Sequence, residues 1–259
     1  MANQLKAWFQ HKPSIVLKEM ELEPAQYYKR IARPNDQHPY DKLGIYSQNT
    51  SEYNEQIASS RVQLVSLLSK LNQIFQTIHP SDDNMNSYGH EIRNLLILSC
   101  TEVEAQLKGV LEANGYNKDR YKTTDFVKIL PAMKLNEYFI KMPSYPSIKH
   151  SSPFKNWKAS SPTQSLAWYN AYNKTKHDRE NNFSKANLQN TIDAVSAVFV
   201  LFFAQYGAIE SRRWSPEIMN FFELKQTPNW NIFQTYIHPY GASPESLNKF
   251  VPIQYNFEN

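Results

Sequence analysis

The stretch from Leu188 to Tyr206 constrains this chain more than any other. Leu188, Ile192, Val195, Phe199, Phe202, Phe203 and Tyr206 recur at helical spacing, and Ala194, Ala197, Val198 and Leu201 fill the other side. A helix that is apolar almost all round has to be enclosed by other elements, because a surface helix keeps one polar face. We read a helix from about Lys185 to Tyr206, capped by Ser184 and stopped at Gly207, at the centre of a bundle. Its most apolar run, Ile192 to Ala204, carries Asp193 and Ser196 and ends at Gln205. That is short of the roughly 18 residues of a membrane span, and the mean hydropathy of the chain is −0.62. The expectation is therefore no integral membrane protein.

Other segments supply the partners that such a helix needs. From about Ser51, Leu64, Leu67, Leu68, Leu71, Ile74, Phe75 and Ile78 follow the amphipathic pattern up to the turn at Pro80. A second helix is read from about Ser87 to Ala113, with Ile92, Leu95, Leu96, Ser99, Val103, Leu107 and Val110 on its apolar face. Asn114-Gly115 is its stop. Thr124-Asp125 is read as the cap of a short helix through Met133, and Glu137–Met142 as a short strand. Ser161-Pro162 is read as opening a helix over 163–179. Ser14–Leu22 fits a strand or a short helix equally well.

The sum is an all-α fold: a bundle of four to five helices, with irregular aromatic-rich ends and a short strand pair. Residues 1–50 form an N-terminal extension, 51–207 the bundle, and 208–259 an aromatic and proline-rich arm. Trp214, Phe221, Phe222, Trp230, Phe233, Tyr236, Tyr240, Phe250, Tyr255 and Phe257 suit an arm packed on the bundle, with a partner surface as the other reading.

Composition excludes several functions. With 41% hydrophobic residues in 259, a large core can form. The single cysteine, Cys100, forbids an intrachain disulfide and a cysteine-based zinc site. It lies among apolar residues, as an inert core thiol does. The N-terminus lacks an apolar signal region, so a cytoplasmic protein is expected. His79, His90 and His150 show no metal-binding spacing, and no phosphate loop or nucleophile elbow occurs. No cofactor or metal is expected.

Charge is unevenly distributed. Residues 149–185 hold seven bases and two acids, a local +5, against +4 for the whole chain. A basic excess of this kind is the footprint of a polyanion partner or a solvated face. Within it, Asn170, Asn173, Lys174 and His177 fall at spacings of 3, 4 and 7, on one helix face, while Trp168, Tyr172 and Thr175 fall on another. Histidine transfers protons near neutral pH, and amides with lysine can hold a phosphate. Lys176 and Arg179 flank the stripe. The competing reading is a buried polar network that only fixes packing. Glu102 is expected near the buried side of its helix, with Arg93, His177 or Arg179 as partner. Glu102 and Glu104 point to different faces and make a poor acid/base pair.

The string Trp168-Tyr169-Asn170-Ala171-Tyr172-Asn173-Lys174-Thr175-Lys176-His177-Asp178-Arg179, followed by a long apolar helix, resembles bacterial proteins of the HEPN superfamily. So does the helix Glu91–Glu104, over a total span of about residues 51–207. The resemblance implies an up-and-down bundle, often dimerised about the motif helix. It also implies, for many members, metal-independent endoribonuclease activity in toxin–antitoxin, phage-defence or CRISPR systems. In that pattern an arginine is followed by a polar residue and, after four to six intervening residues, by a histidine, and the histidine and arginine of two subunits act on the RNA 2′-hydroxyl and scissile phosphate. His177 matches the histidine and Asn173 the polar residue. Tyr172 stands at the arginine position, and no arginine occurs over 157–177.

Two function classes follow. In the first, the chain is an RNase in which His177 is the acid/base and Asn173 orients it, with Lys174, Lys176 or Arg179 on the phosphate. Asn170, Tyr172, Lys185, Glu102 and Arg93 contribute to substrate binding. In the second, it is an inactive module that binds RNA or a protein partner such as an antitoxin or defence component, and the Asn/His stripe is structural. A homodimer is expected from the resemblance.

Overall fold

The computed structural model describes residues 20–33, 51–214, 216–236 and 251–258. The chain is mostly helical. The long helices are α1 (Ser51–Phe75), α2 (His90–Ala113), α5 (Ala167–His177) and α7 (Leu188–Trp214). Shorter ones are α3 (Thr123–Phe126), α4 (Ile129–Met133), α6 (Arg179–Asn182) and α8 (Pro216–Phe221). The described residues also hold four short strands: β1 (Gln26–Tyr28), β2 (Phe139–Lys141), β3 (Glu223–Gln226) and β4 (Val251–Ile253). β1 pairs with β4 in parallel and β2 with β3 antiparallel. The expected strand at 137–142 is thus β2, and the strand pair is matched by a second one.

Helix α7 is the axis, as its composition demands. Every residue from Ala194 to Tyr206 is buried. Its segment Leu188–Gly207 is 20 residues with a hydropathy of 1.3, long and apolar enough to cross a membrane, and 83% of that window lies inside the protein. The sequence reading undercounted this run by starting it at Ile192. The other helices of the bundle cover most of it. Each Leu or Phe so enclosed is worth roughly 1.5–3 kcal/mol. Gly207, at φ 78 and ψ 176, breaks the helical backbone at the expected stop, yet helix resumes after it. The start is also shifted. Asn187 Oδ1 accepts from the Asn190 amide at 3.0 Å, so Asn187 is the cap, and Ser184 lies in a 3₁₀ turn.

Two side-chain bonds set the register of α7 on α2. Thr191 Oγ1 donates to the Ile92 carbonyl at 3.2 Å, and Gln205 Nε2 to Gln106 Oε1 at 2.9 Å. Both pairs are 99 residues apart in sequence, so the helices run parallel, side by side. α1 runs the other way: Ser60 Oγ is 3.2 Å from Tyr206 Oη near the C-terminal end of this contact. Its far end, Lys70 to Thr77, lines a groove with Glu91, Asn94 and Leu98 at the start of α2.

The described parts of the extensions are packed, not loose. Arg33 is 3% exposed, pairs with Glu21 Oε1 at 2.8 Å and donates to the Gln234 carbonyl at 2.8 Å. The rings of Tyr28, Trp230 and Tyr236 surround its guanidinium at 5.0, 5.0 and 5.7 Å. Trp230, Tyr236, Phe222 and Phe257 of the arm are buried. Tyr240, Phe250, the side chain of Trp214 and nearly all of Ser14–Leu22 lie outside the described residues. Asn114 joins both ends: its Nδ2 donates to the Lys29 carbonyl at 2.9 Å and its Oδ1 accepts from the Tyr255 amide at 3.0 Å. It is the cap of α2, as its sequence suggests, and Gly115 follows at φ 81.

Candidate functional site

Helix α5 begins at Ala167, not at Thr163. The indole of Trp157 donates to the Pro162 carbonyl at 3.0 Å, and Ser165 Oγ accepts from the Lys158 amide at 3.0 Å. These bonds hold 157–165 in turns, so Pro162 does not open the helix. From Ala167 onward the two-faced reading holds. Trp168, Tyr169, Ala171, Tyr172 and Thr175 are buried, while Lys174 and His177 are exposed and Asn170 and Asn173 are half-exposed.

The Asn/Lys/His stripe is therefore a solvent face. The packing network proposed for it does not exist in that form, since no side chain of Asn170, Asn173, Lys174 or His177 has a hydrogen-bond partner among the described residues. His177 is the last residue of α5. Asp178 then caps α6 by accepting from the Asn181 amide at 3.3 Å, which leaves Arg179 exposed on the first turn. Lys185 is exposed in the 3₁₀ turn beyond. Among the described residues, ion pairs take up Lys149 of the seven bases over 149–185 and none of the other six. The cations at this end are available to a ligand.

The buried side of α5 holds a different set of polar groups. Tyr169 Oη donates to Glu104 Oε1 at 2.6 Å, and burial followed by that carboxylate pushes the phenol pKa far up. Lys176 Nζ donates to Tyr172 Oη at 3.0 Å, a bond that raises the lysine pKa. Tyr172 is thus a core phenol, 2% exposed.

Glu102 does not meet Arg93, His177 or Arg179. It accepts from Gln106 Nε2 at 2.8 Å, and Gln106 in turn accepts from Gln205 Nε2 at 2.9 Å. Gln205 Oε1 accepts from Arg30 Nε at 2.8 Å, so the chain of bonds ends on a cation from the N-terminal extension. Burial raises the Glu102 pKa; Gln106 and Arg30 oppose the rise. Arg93 is half-exposed, and its one contact of note is a long bond to Asn94 Oδ1 at 3.4 Å. Glu102 and Arg93 therefore stand apart from the stripe. Cys100 is fully buried, and burial raises its thiol pKa well above the ordinary value, against any nucleophilic role.

One group of residues escaped the sequence reading. The loop before α2 is fastened to the start of α7: the Leu188 amide donates to the Ser87 carbonyl at 2.9 Å and the Gln189 amide to the Met85 carbonyl at 3.0 Å. This sets Tyr88 against Phe183 with ring centroids 5.6 Å apart, nearly perpendicular, and His90 against the same ring at 5.1 Å. Phe183 follows Asn182, whose carbonyl accepts from Thr175 Oγ1 of α5 at 3.3 Å. An aromatic amid polar residues, in Asn181-Asn182-Phe183-Ser184, was the available signal. The end of α5, the connection 178–187 with Arg179 and Lys185, and this aromatic cluster thus occupy one end of the bundle.

What this arrangement can do is limited and definite. It offers an unneutralised cationic face, a solvent-accessible imidazole and exposed rings. Among the described residues no carboxylate is hydrogen-bonded to His177 to orient the ring, and no cluster of three or more metal-ligating side chains occurs. Comparison with known proteins finds no matching family model, no similar curated protein and no similar solved structure.

Proposed function

We propose that this chain is a HEPN-like, up-and-down helical bundle that binds RNA through the end carrying Lys174, His177, Arg179 and Lys185. The observation that carries the reading is the exposure of Lys174, Arg179 and Lys185, without ion-pair partners among the described residues, in the basic segment 149–185. Phosphate backbones are held by such groups, and the released counterions make the affinity fall with log[salt]. Binding stands ahead of cleavage because His177 has no orienting partner and Tyr172 supplies no cation. The cellular setting of this reading is a cytoplasmic homodimer, with an antitoxin or defence component as protein partner.

Metal-independent endoribonuclease action is the second reading, favoured by the free imidazole of His177 beside Lys174 and Arg179. His177 would take the 2′-hydroxyl proton, Asn173 would hold the imidazole or the substrate, and a neighbouring cation would stabilise the phosphate. One experiment separates the two. Purified protein is titrated against labelled RNA at several salt concentrations, then incubated with total RNA in EDTA beside His177→Ala. Salt-dependent binding weakened by neutralising Lys174 and Arg179, with intact RNA throughout, supports the binding module. Cleavage by the parent protein alone supports the RNase. Absence of binding at low salt removes both.

A further inference from the structure

The proposed RNA site has a neighbour that cations alone do not explain. Large apolar side chains exposed among the described residues are few, and Tyr88 is one of them, at 54% exposure. Its ring is not idle on a mobile tip. The backbone of Tyr88 bridges to Asn187, and the flanking Ser87 and Met85 carbonyls are bonded by the first amides of α7. Phe183 packs against it at a near right angle, and His90 packs on Phe183 in a tilted arrangement. The result is a rigid step of two aromatic rings and an imidazole, held at the surface by two helix starts. Gly89, between Tyr88 and His90, has nothing within 4 Å of where a Cβ would stand, so the space beside this backbone is open.

This step lies on the same connection as the free cations. Arg179 and Lys185 flank Phe183 in sequence by four and two residues, and Thr175 of α5 bonds the residue before it. Two of the nearby acids have partners: Asp82 faces Lys149 at 3.6 Å, and Asp178 is spent on Asn181 and Asn182. Glu180, Asp83 and Glu91 remain exposed. A ring with a free face beside cations is what an unpaired nucleobase needs, because its phosphate is held while the base stacks. A base-paired helix keeps its bases stacked inside and cannot offer one to the protein.

We infer that Tyr88, braced by Phe183 and His90, is a stacking platform for a base of single-stranded RNA whose backbone lies on Arg179 and Lys185. The inference rests on the RNA-binding reading above and adds the strandedness of the ligand and the residue that reads the base.

The test uses the full chain and two probes, a 2′-O-methyl uridine 12-mer, which resists in-line cleavage, and the same backbone made fully abasic. Anisotropy titrations are run on the parent protein, Tyr88→Ala, Tyr88→Trp and the double variant with Arg179 and Lys185 changed to Gln. The parent binds the base-containing strand about tenfold more tightly than the abasic one, the scale of one stacked base. Tyr88→Ala abolishes that preference, Tyr88→Trp keeps it, and the double variant weakens both probes alike. Equal affinity of the parent for both probes overturns the platform while leaving the RNA reading intact, and this comparison needs no variant to fold. Tighter binding of an RNA duplex than of the 12-mer also overturns it. Failure to bind either probe at low salt overturns the RNA reading and the platform together.

Discussion

Lys176 Nζ donates to Tyr172 Oη across 3.0 Å, one turn apart on α5, with the phenol in the core and the ammonium at the surface. The lysine stem covers the ring and its charge sits 5.2 Å from the ring centre. Position 172 is thereby committed to packing. Tyr172→Phe should cost only about 1 kcal/mol, the net worth of one hydrogen bond. Tyr172→Ala should cost about 3–5 kcal/mol through the cavity it leaves. Urea denaturation measures both. An alanine variant as stable as the phenylalanine one would show that the site is not packed as described.

His177 is exposed and unbonded among the described residues. Its removal should leave the melting temperature within about 2 °C of the parent, as surface changes do. Had it belonged to a buried polar network, the loss would be several times larger. A thermal melt of His177→Ala decides this, and a stable variant also makes it a clean control for RNA cleavage.

Gly109 of α2 lies under the Arg30 guanidinium, and a methyl group there would collide with it. Alanine is favoured over glycine in a helix by about 1 kcal/mol. Gly109→Ala should nonetheless destabilise, because Arg30 must leave Gln205 to make room. In an Arg30→Ala background the same change should turn neutral or stabilising. A double-mutant cycle by chemical denaturation reads the coupling, and additivity within about 0.5 kcal/mol would refute the clash.

Asp193 is half-buried on α7 and accepts from Ser151 Oγ at 2.7 Å and Gln189 Nε2 at 3.0 Å. Burial raises its carboxyl pKa, and these two donors oppose the rise without cancelling it. A group raised in the fold favours the protonated form. Its stabilising contribution is present below the ordinary carboxylate pKa of about 3.9 and is lost as pH rises through the folded value. Asp193→Asn keeps an acceptor for Ser151 and removes the charge. Its melting temperature should exceed the parent's at pH 7, and the gap should close near pH 4. A gap that is constant across that range would exclude this carboxylate as its source.

The sequence by itself determined the helices whose apolar spacing is a local property. α1, α2 and α7 follow from leucine, valine and phenylalanine recurring at three and four, and the all-round apolarity of α7 required that other elements enclose it. It also determined the two faces of α5, because positions 170, 173, 174 and 177 must share one side of any helix that contains them. Helix starts were less legible. Pro162 and Ser184 are good local signals, but the bonds of Trp157, Ser165 and Asn187 moved both starts inward by a few residues.

Tertiary structure alone decided which face of α5 looks outward. Trp168, Tyr172 and Thr175 bury more surface than the amides and lysine opposite, and the bundle took the larger apolar gain. It alone gave Glu102 its neighbours, since Arg30 and Gln205 come from 72 and 103 positions away. It alone brought Tyr88 to Phe183, 95 residues on, by bonding one loop to the first turn of α7. Periodicity reports the neighbours of a residue along one element, whereas a site made where helix ends meet depends on how whole elements stack, which local spacing does not encode.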